Sequence, residues 1–320
     1  MTGFAYLRPT SLDEALEALR DPASCVIGGG TDLLTCIDEG IATPGRVVDV
    51  RALAELRGIS LASDGSARIG AAVRIADLAA HVPLRANFPL LADAAQAVGS
   101  PALRNSGTLG GNLAQRQRCW YLRRRVPCFK NGGSQCAAVE GEHSYHGIIA
   151  GGTCHAVHPS DPAVALDALD ARVVTSSRTL SIAEFFAGAA MNQRAETVLA
   201  DGELIIAVEL PAAAAAGAQH WEKVIQRGAY DFALVSCAAA RRADGSVRMS
   251  LGGVAAGPWR LPLSIEEDVA SGGLDEESLD ALAERAMYDA EPLPGTVYKV
   301  RIAQALLRRA MRAISERNPA

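Results

Sequence analysis

The 320-residue chain has no apolar run approaching the roughly 20 residues that span a bilayer. Its longest candidates, such as PAAAAAGAQ, are short and alanine-rich. An excess of positive charge is also missing: the formal net charge is -5, which argues against a general nucleic-acid binder. Seven cysteines are too few, and odd in number, for a secreted disulfide scaffold. There is no G-x-G-x-x-G fingerprint, no Walker loop with its lysine, no serine in a nucleophile elbow and no convincing hydrolytic triad. No internal repeat or low-complexity tail occurs. The first residues, MTGFAYLRPTSLDEALEALR, carry acids and an amphipathic helix where an export signal has a basic start and an apolar block. The cytoplasm is therefore the expected location, unless a partner carries the chain to the periplasm.

What is present is an ordinary globular composition, 49% apolar and 21% charged, enough for two or three lobes. SLDEALEALR reads as a helix with Ser11 as N-cap and Glu14 completing a capping box. SCVI is a strand, GGGTDLL a turn into a helix, and RVVDV a second strand. ARIGAAV opens the next block, followed by helices over RIADLAAHVPLR and PLLADAAQAVGSPALRNS, then a glycine turn, GTLGGNLAQ. PAVALDALDARVVTSS reads as a helix running into a strand, RTLSIAEFF pairs back, and GELIIAVELP is a strong strand. Residues 212–218, AAAAAGA, look like a linker. Beyond it, HWEKVIQR, FALVSCAAARR and SVRMSLGGVA are strands, the last two joined at ADGS by a hairpin turn. EESLDALAERAMYDA and VRIAQALLRRAMRAISER are helices, and Arg301, Arg308, Arg309 and Arg312 mark a solvated face of the second. The class is α+β, with lobes at 1–54, 55–211 and 212–320.

Two glycine turns stand out. In IGGGTDL, Ile27 to Leu33, consecutive glycines let a ligand approach the backbone N–H groups at a helix start, and Thr31 adds a hydroxyl. GTLGGN, Gly107 to Asn112, is a second turn of the same kind, with Thr108 and Asn112 as polar groups. Each alone reads equally as a plain strand-to-helix turn. Together with HPSD at 158–161, whose Ser160 and Asp161 could reach a ribose or an adenine, they suit a large dinucleotide. Without the Rossmann fingerprint, a flavin fold fits better than an NAD fold.

Between the second turn and HPSD lie Cys119, Cys128, Cys136 and Cys154, with eight, seven and seventeen residues between them and no C-x-x-C pair. Such scattered thiols suit a loop wrapped around a [4Fe–4S] cluster better than the paired ligands of a zinc site. Zinc stays open, since His143, His146, His155 and His158 are potential ligands, and so do disulfides or free thiols. A cluster held by four thiolates is anionic. Arg116, Arg118, Arg123, Arg124, Arg125 and Lys130 are the expected compensation, with Gly132, Gly133, Gly151 and Gly152 bringing N–H groups to the sulfurs. Those arginines, with Trp120, Tyr121 and Phe129, also mimic a nucleic-acid patch, which the acidic total disfavours. Cys25, Cys36 and Cys237 read as core thiols.

IGGGTDL, GTLGGN and HPSDPAVAL, in that order, resemble the FAD-binding medium subunit of molybdenum hydroxylases, the xanthine dehydrogenase and aldehyde oxidoreductase family. The likeness runs the length of the chain, through ALVSCAAA and SLGGVAAGPWR. It implies an α+β FAD-binding fold of the PCMH/CO-dehydrogenase flavoprotein type, with two α/β subdomains and a C-terminal sheet-and-helix domain. It implies FAD held by Ile27, Gly28, Gly29, Gly30, Thr31, Asp32 and Leu33, then by Thr108, Gly111 and Asn112, with Ser160, Asp161, Ile206 and Lys223 nearby. Glycine replaces the asparagine some relatives have in the first loop, leaving backbone contact alone. The insert at 115–158, with RCWYLRRRVPC, GSQCAAVEGE and CHAVHPSD, is similar to that of periplasmic-type aldehyde oxidoreductases, whose flavin subunit carries an additional [4Fe–4S] cluster. That implies Cys119, Cys128, Cys136 and Cys154 as cluster ligands. It also implies partners: a large subunit with the molybdenum cofactor and a small one with [2Fe–2S] centres, in a heterotrimer or its dimer, with electrons leaving FAD for an external acceptor. No substrate-oxidising residue is then expected here. The flavin subunit of 4-hydroxybenzoyl-CoA reductase, where electrons flow the other way, is the nearest rival. A zinc-stabilised binding module without redox function is the alternative of another class.

Overall fold

The computed structural model describes residues 3–149, 153–188, 192–215 and 217–316. The expected roles of Gly151 and Gly152 lie outside the described residues. The fold is α+β, with three sheets. The first is wholly parallel, in the order β1 (Ala5–Leu7), β3 (Arg46–Asp49), β2 (Ser24–Ile27). Val47 and Val48 of its central strand are fully buried, as a strand covered on both faces requires. The second sheet runs β4 (Ile59–Leu61), β5 (Ala67–Gly70), β8 (Ile205–Leu210), β6 (Arg172–Thr175), β7 (Thr179–Ser181), all antiparallel. The apolar run of β8 is explained by its central place. The third sheet is β12 (Trp259–Arg260), β11 (Val247–Gly252), β10 (Val235–Arg241), β9 (Gln219–Val224), with the hairpin at Asp244–Gly245 and Gly245 at φ 84°.

Helix Asp161–Ala168, sequence DPAVALDA, is buried on every face. It lies between the second sheet's core and the third sheet, where Val164 approaches Gly252. That explains why it has no polar stripe, and it sets Ser160 and Asp161 at the centre of the molecule. On the third sheet's other face packs helix Val297–Glu316, burying Leu306, Leu307, Ala310 and Met311 against Cys237 and Leu251. Its arginines are paired at the surface: Arg308 with Asp280 at 2.9 Å, Arg309 with Glu222 at 2.8 Å, and Arg312 with Glu276, while Arg301 is exposed.

Several elements differ from expectation. β1, β4, β12 and helix Leu263–Ser271 are too short or too mixed to stand out in the sequence. The two long helices break in two: at His81, whose extended backbone and Nδ1 cap the second helix at the Leu84 amide, and at Gly99–Ser100, because the residue before Pro101 avoids helical backbone. Ser11 caps its helix, but Glu14 turns to the Thr10 amide (2.7 Å) rather than closing a capping box. GTLGGN is not a bare turn, since Gly110 and Gly111 sit inside helix Leu109–Leu113 with Thr108 as N-cap. The alanine stretch is packed rather than loose: Ala212–Ala214 form a 3-10 turn whose Ala214 is buried, and Gln219 donates to the Ala214 carbonyl at 2.9 Å. Ala216 of that stretch lies outside the described residues.

Lys299, on the C-terminal helix, is 0% exposed. Its Nζ donates to the carbonyls of His146 at 2.9 Å and Gly253 at 2.5 Å, tying the insert to the third sheet. No carboxylate pairs with it among the described residues, and burial pushes it down to about 7 from 10.5. The folded chain thus sheds a proton that the unfolded chain keeps between those values. Its stability should rise with pH over that window, relative to Lys299→Met, by up to about 1.4 kcal/mol per pH unit. Urea unfolding of both chains from pH 7 to 10 measures the difference.

Candidate flavin and cysteine site

The first glycine turn leaves β2 and meets the second directly. A Cβ on Gly29 would lie 1.9 Å from the Ser106 carbonyl oxygen, and one on Gly28 would lie 2.4 Å from Thr108 Oγ1. Gly30 sits at φ 74°, which favours glycine. The N–H groups of Gly29, Gly30 and Thr31 donate to nothing among the described residues. A cradle of free amides that no side chain can enter fits a diphosphate. Thr108 Oγ1 accepts from the Gly111 amide at 3.2 Å. Ser160 Oγ donates to Asn112 Oδ1 at 2.5 Å and accepts from the Ala163 amide at 3.1 Å, joining the second motif to the third.

Two cavities flank this junction. One of about 210 Å³ is lined by Gly28 to Leu33, Thr108, Gly111, Leu204 and Ile205. The other, about 280 Å³, is lined by Thr31, Thr108, Asn112, Asp161, Lys223 and Phe232. They share Thr31, Asp32, Thr108, Gly111 and Gln115. A dinucleotide whose diphosphate sits on the glycine turns would reach into both. Two residues named from sequence turn away instead. Ile27 packs with Ile37 and Val47, and Ile206 packs with Leu19, Val48 and Leu56, while Leu204 and Ile205 border the cavity.

Asp161 and Lys223 form a buried pair, Nζ to Oδ2 at 2.7 Å, and Lys223 also donates to the Ala97 carbonyl at 3.0 Å. Burial pushes the Asp161 carboxyl above its ordinary value, and Lys223 pulls it back. Lys223→Met should cost about 3–5 kcal/mol at neutral pH by stranding a buried charge. Asp161 then has a strongly raised folded value, so the loss shrinks as pH falls through it, and Lys223→Met/Asp161→Asn restores much of the stability. Denaturant midpoints at pH 7 and 5 measure both effects.

Cys119, Cys128, Cys136 and Cys154 all line one cleft. None is in a disulfide, and burial raises the Cys154 thiol and pushes Cys119 up to about 11. The enclosed volume is about 10 Å³, room for one water-sized atom, so a larger group would hold the thiols further apart. Among the described residues no three His, Cys, Asp or Glu side chains are grouped to hold a single metal ion. The backbone amides of Tyr121 and Leu122 near Cys119, and of Ala156 near Cys154, offset part of the upward shift that burial causes. Gly133 instead donates to the Cys128 carbonyl at 2.8 Å.

Three of the six basic residues pair with carboxylates in other segments. Arg118 and Arg123 reach Asp32 at 3.1 and 2.8 Å, Arg123 also reaches Glu39 at 3.2 Å, and Arg116 reaches Glu196 at 3.3 Å. They clamp the insert onto the first glycine turn, with the Arg116 amide donating to Asp32 at 2.7 Å. Among the described residues Lys130 is the basic residue that lines the cysteine cleft, and its Nζ donates to the Ala195 carbonyl at 2.8 Å. Cys36 is not a plain core thiol either, since Arg123 lies 3.2 Å from its sulfur.

The four histidines divide. His158 is buried, pushed down to about 4, and links the Gln115 carbonyl (3.2 Å) to the Ser160 amide (3.4 Å). His143 Nδ1 is 2.8 Å from the Ala138 carbonyl and its Nε2 accepts from the Gly295 amide at 2.9 Å. His155 is half-buried. His146, buried and likewise pushed down to about 4, sits with Nε2 3.3 Å from Cys119 Sγ. That contact and the cavity beyond it were not legible in the sequence, because Tyr145, His146, Phe232 and Ser236 converge from distant segments.

A family model described as the FAD binding domain in molybdopterin dehydrogenase matches residues 2–213. The aldehyde oxidoreductase FAD-binding subunit PaoB of Escherichia coli is 43% identical over 271 residues, covering 82% of this chain and 84% of that one. The carbon monoxide dehydrogenase medium chain of Hydrogenophaga pseudoflava is 27% identical, covering 97% and 96%. A solved carbon monoxide dehydrogenase from that organism superposes with a TM-score of 0.74 at 25% identity, covering 97% of this chain and 96% of its own. Quinoline 2-oxidoreductase from Pseudomonas putida, at 24% identity and a TM-score of 0.75 over 98% and 97%, shares the fold.

Proposed function

Since the chain belongs to the FAD-binding subunits of the molybdenum hydroxylase family, and is an oxidoreductase subunit whose partner carries the substrate chemistry, we propose that it serves a molybdenum-dependent aldehyde oxidoreductase. In this reading it carries FAD and a [4Fe–4S] cluster, and passes electrons from the molybdenum and [2Fe–2S] subunits to an external acceptor. The observation that carries the cluster is that all four insert cysteines line one cleft. Bound FAD would supply the exchange between one-electron and two-electron traffic.

The chain's own residues hold and exclude. Gly29, Gly30 and Thr31 offer amides to the diphosphate, and Thr108, Gly111 and Asn112 continue that surface. Ser160 fixes Asn112, and Lys223 pairs with Asp161 in a buried wall. Ile27 and Ile206 support the cavity from behind. Cys119, Cys128, Cys136 and Cys154 hold the cluster, with His146 at one sulfur. The cluster acts mainly as a staple for residues 115–158, since relatives without that insert still move electrons. Segments 1–54, 55–211 and 212–320 act as the structural units, in a heterotrimer or its dimer. The complex resides in the cytoplasm unless a partner's export signal carries it out.

The purified complex should oxidise benzaldehyde-type substrates with bleaching of the flavin bands. Reduction of aromatic acyl-CoA thioesters with no aldehyde activity would overturn the aldehyde assignment and leave the FAD role standing.

A further inference from the structure

Arg123 lines neither the two flavin cavities nor the cysteine cleft, yet each of its five N–H groups has an acceptor. Its side chain is 9% exposed. Nε donates to the Gln117 carbonyl at 3.0 Å. One terminal nitrogen donates to the Cys36 sulfur and to Glu39, both at 3.2 Å. The other donates to Asp32 at 2.8 Å and to the Arg116 carbonyl at 3.2 Å. The guanidinium is a rigid fork, so a full set of bonds fixes the partners relative to one another. Three of those partners, Asp32, Cys36 and Arg116, border the 210 Å³ cavity. Asp32 borders both cavities and directly follows Thr31, the last of the free amides. A carboxylate there repels a bound diphosphate unless it is neutralised. Arg118 and Arg123 are the cations that reach it. The short helix Trp120–Arg123 thus has two ends with two tasks: Cys119 caps its start and Arg123 is its last residue.

We propose that Arg123 is a positioning residue for the flavin: from behind the cavity it fixes and neutralises Asp32, so that the first glycine turn keeps the shape and charge a diphosphate needs. The insert then serves the flavin as well as carrying the thiols. The brace runs through the Arg123 side chain and through none of Cys119, Cys128, Cys136 and Cys154. Flavin binding and cluster binding are therefore separable, each lost by a different substitution in the same insert. This inference rests on the FAD reading above.

The test titrates FAD into the purified, flavin-stripped full chain, with binding read by flavin fluorescence and iron assayed in parallel. Arg123→Gln should bind FAD at least about tenfold more weakly while keeping the iron of the wild type. Arg123→Lys keeps a cation within reach of Asp32 and should be rescued in part, to about threefold weaker binding than the wild type. Wild-type FAD affinity in Arg123→Gln overturns the proposal. Loss of iron together with FAD also overturns it, since Arg123 then holds the insert rather than the glycine turn. Should Arg123→Gln fail to fold, Arg123→Lys decides: the threefold loss supports the proposal and wild-type affinity overturns it. A wild-type chain that binds no FAD refutes the flavin reading, and this inference with it.

Discussion

Cys136→Ser is expected to lose most of its iron and acid-labile sulfide while keeping its FAD. Its thiol is one of four lining a single cleft, and three thiols leave a cubic cluster one ligand short. The glycine cradle is built from separate residues, so flavin retention follows. Because binding energy at a structural metal site is folding energy, the variant should lose several kcal/mol. That corresponds to a melting point lower by roughly 5–15 °C in a chain of this size. Iron, sulfide and flavin assays with calorimetry read all three. Turnover slowed more than about tenfold, with melting point and FAD intact, would show a relay in place of a staple. A variant with the iron of the wild type would remove Cys136 from the ligand set.

Gly29→Ala is the second large effect. Its new methyl would lie 1.9 Å from the Ser106 carbonyl oxygen and 2.7 Å from Gly107 Cα, and both are backbone atoms that cannot rotate away. The two glycine turns must separate, and the surface they form for the diphosphate goes with them. FAD content should fall at least about tenfold, with roughly 1–3 kcal/mol of stability lost to overpacking. Gly228→Ala, where nothing lies within 4 Å of the added carbon, is the control and should change stability by less than about 0.5 kcal/mol. Flavin fluorescence after heat release compares the two.

These two predictions draw on the parts of the sequence that were most legible. The glycine runs and HPSD announce themselves because close backbone contact demands glycine and a helix start favours Ser and Asp. Their meeting across about 130 residues is consistent with that reading: Gly29 touches Ser106, and Ser160 bonds Asn112. The strong strands were legible in the same way, since β8 and β10 are buried on both faces and read as mostly apolar runs.

Side-chain partners were not legible. Six basic residues near four cysteines suggested charge compensation, yet Arg116, Arg118 and Arg123 found carboxylates in other segments, at Asp32, Glu39 and Glu196. Charge near in sequence is not charge near in space when an insert folds back on another lobe. Asp32, read as a flavin residue, is the anchor of that fold-back. Ile206 illustrates a strand's alternation: Ile205 packs into the second sheet's core, and one step along β8 Ile206 packs against Leu19, Val48 and Leu56.

The proposal at the centre of this account is that one chain holds both a flavin and an iron–sulfur cluster. It is tested most directly by metal and flavin analysis of the purified protein alongside its visible spectrum. The account predicts about one FAD and about four iron and four sulfide per chain, with flavin bands on a broad iron–sulfur shoulder. A colourless protein with one zinc and no flavin would contradict it.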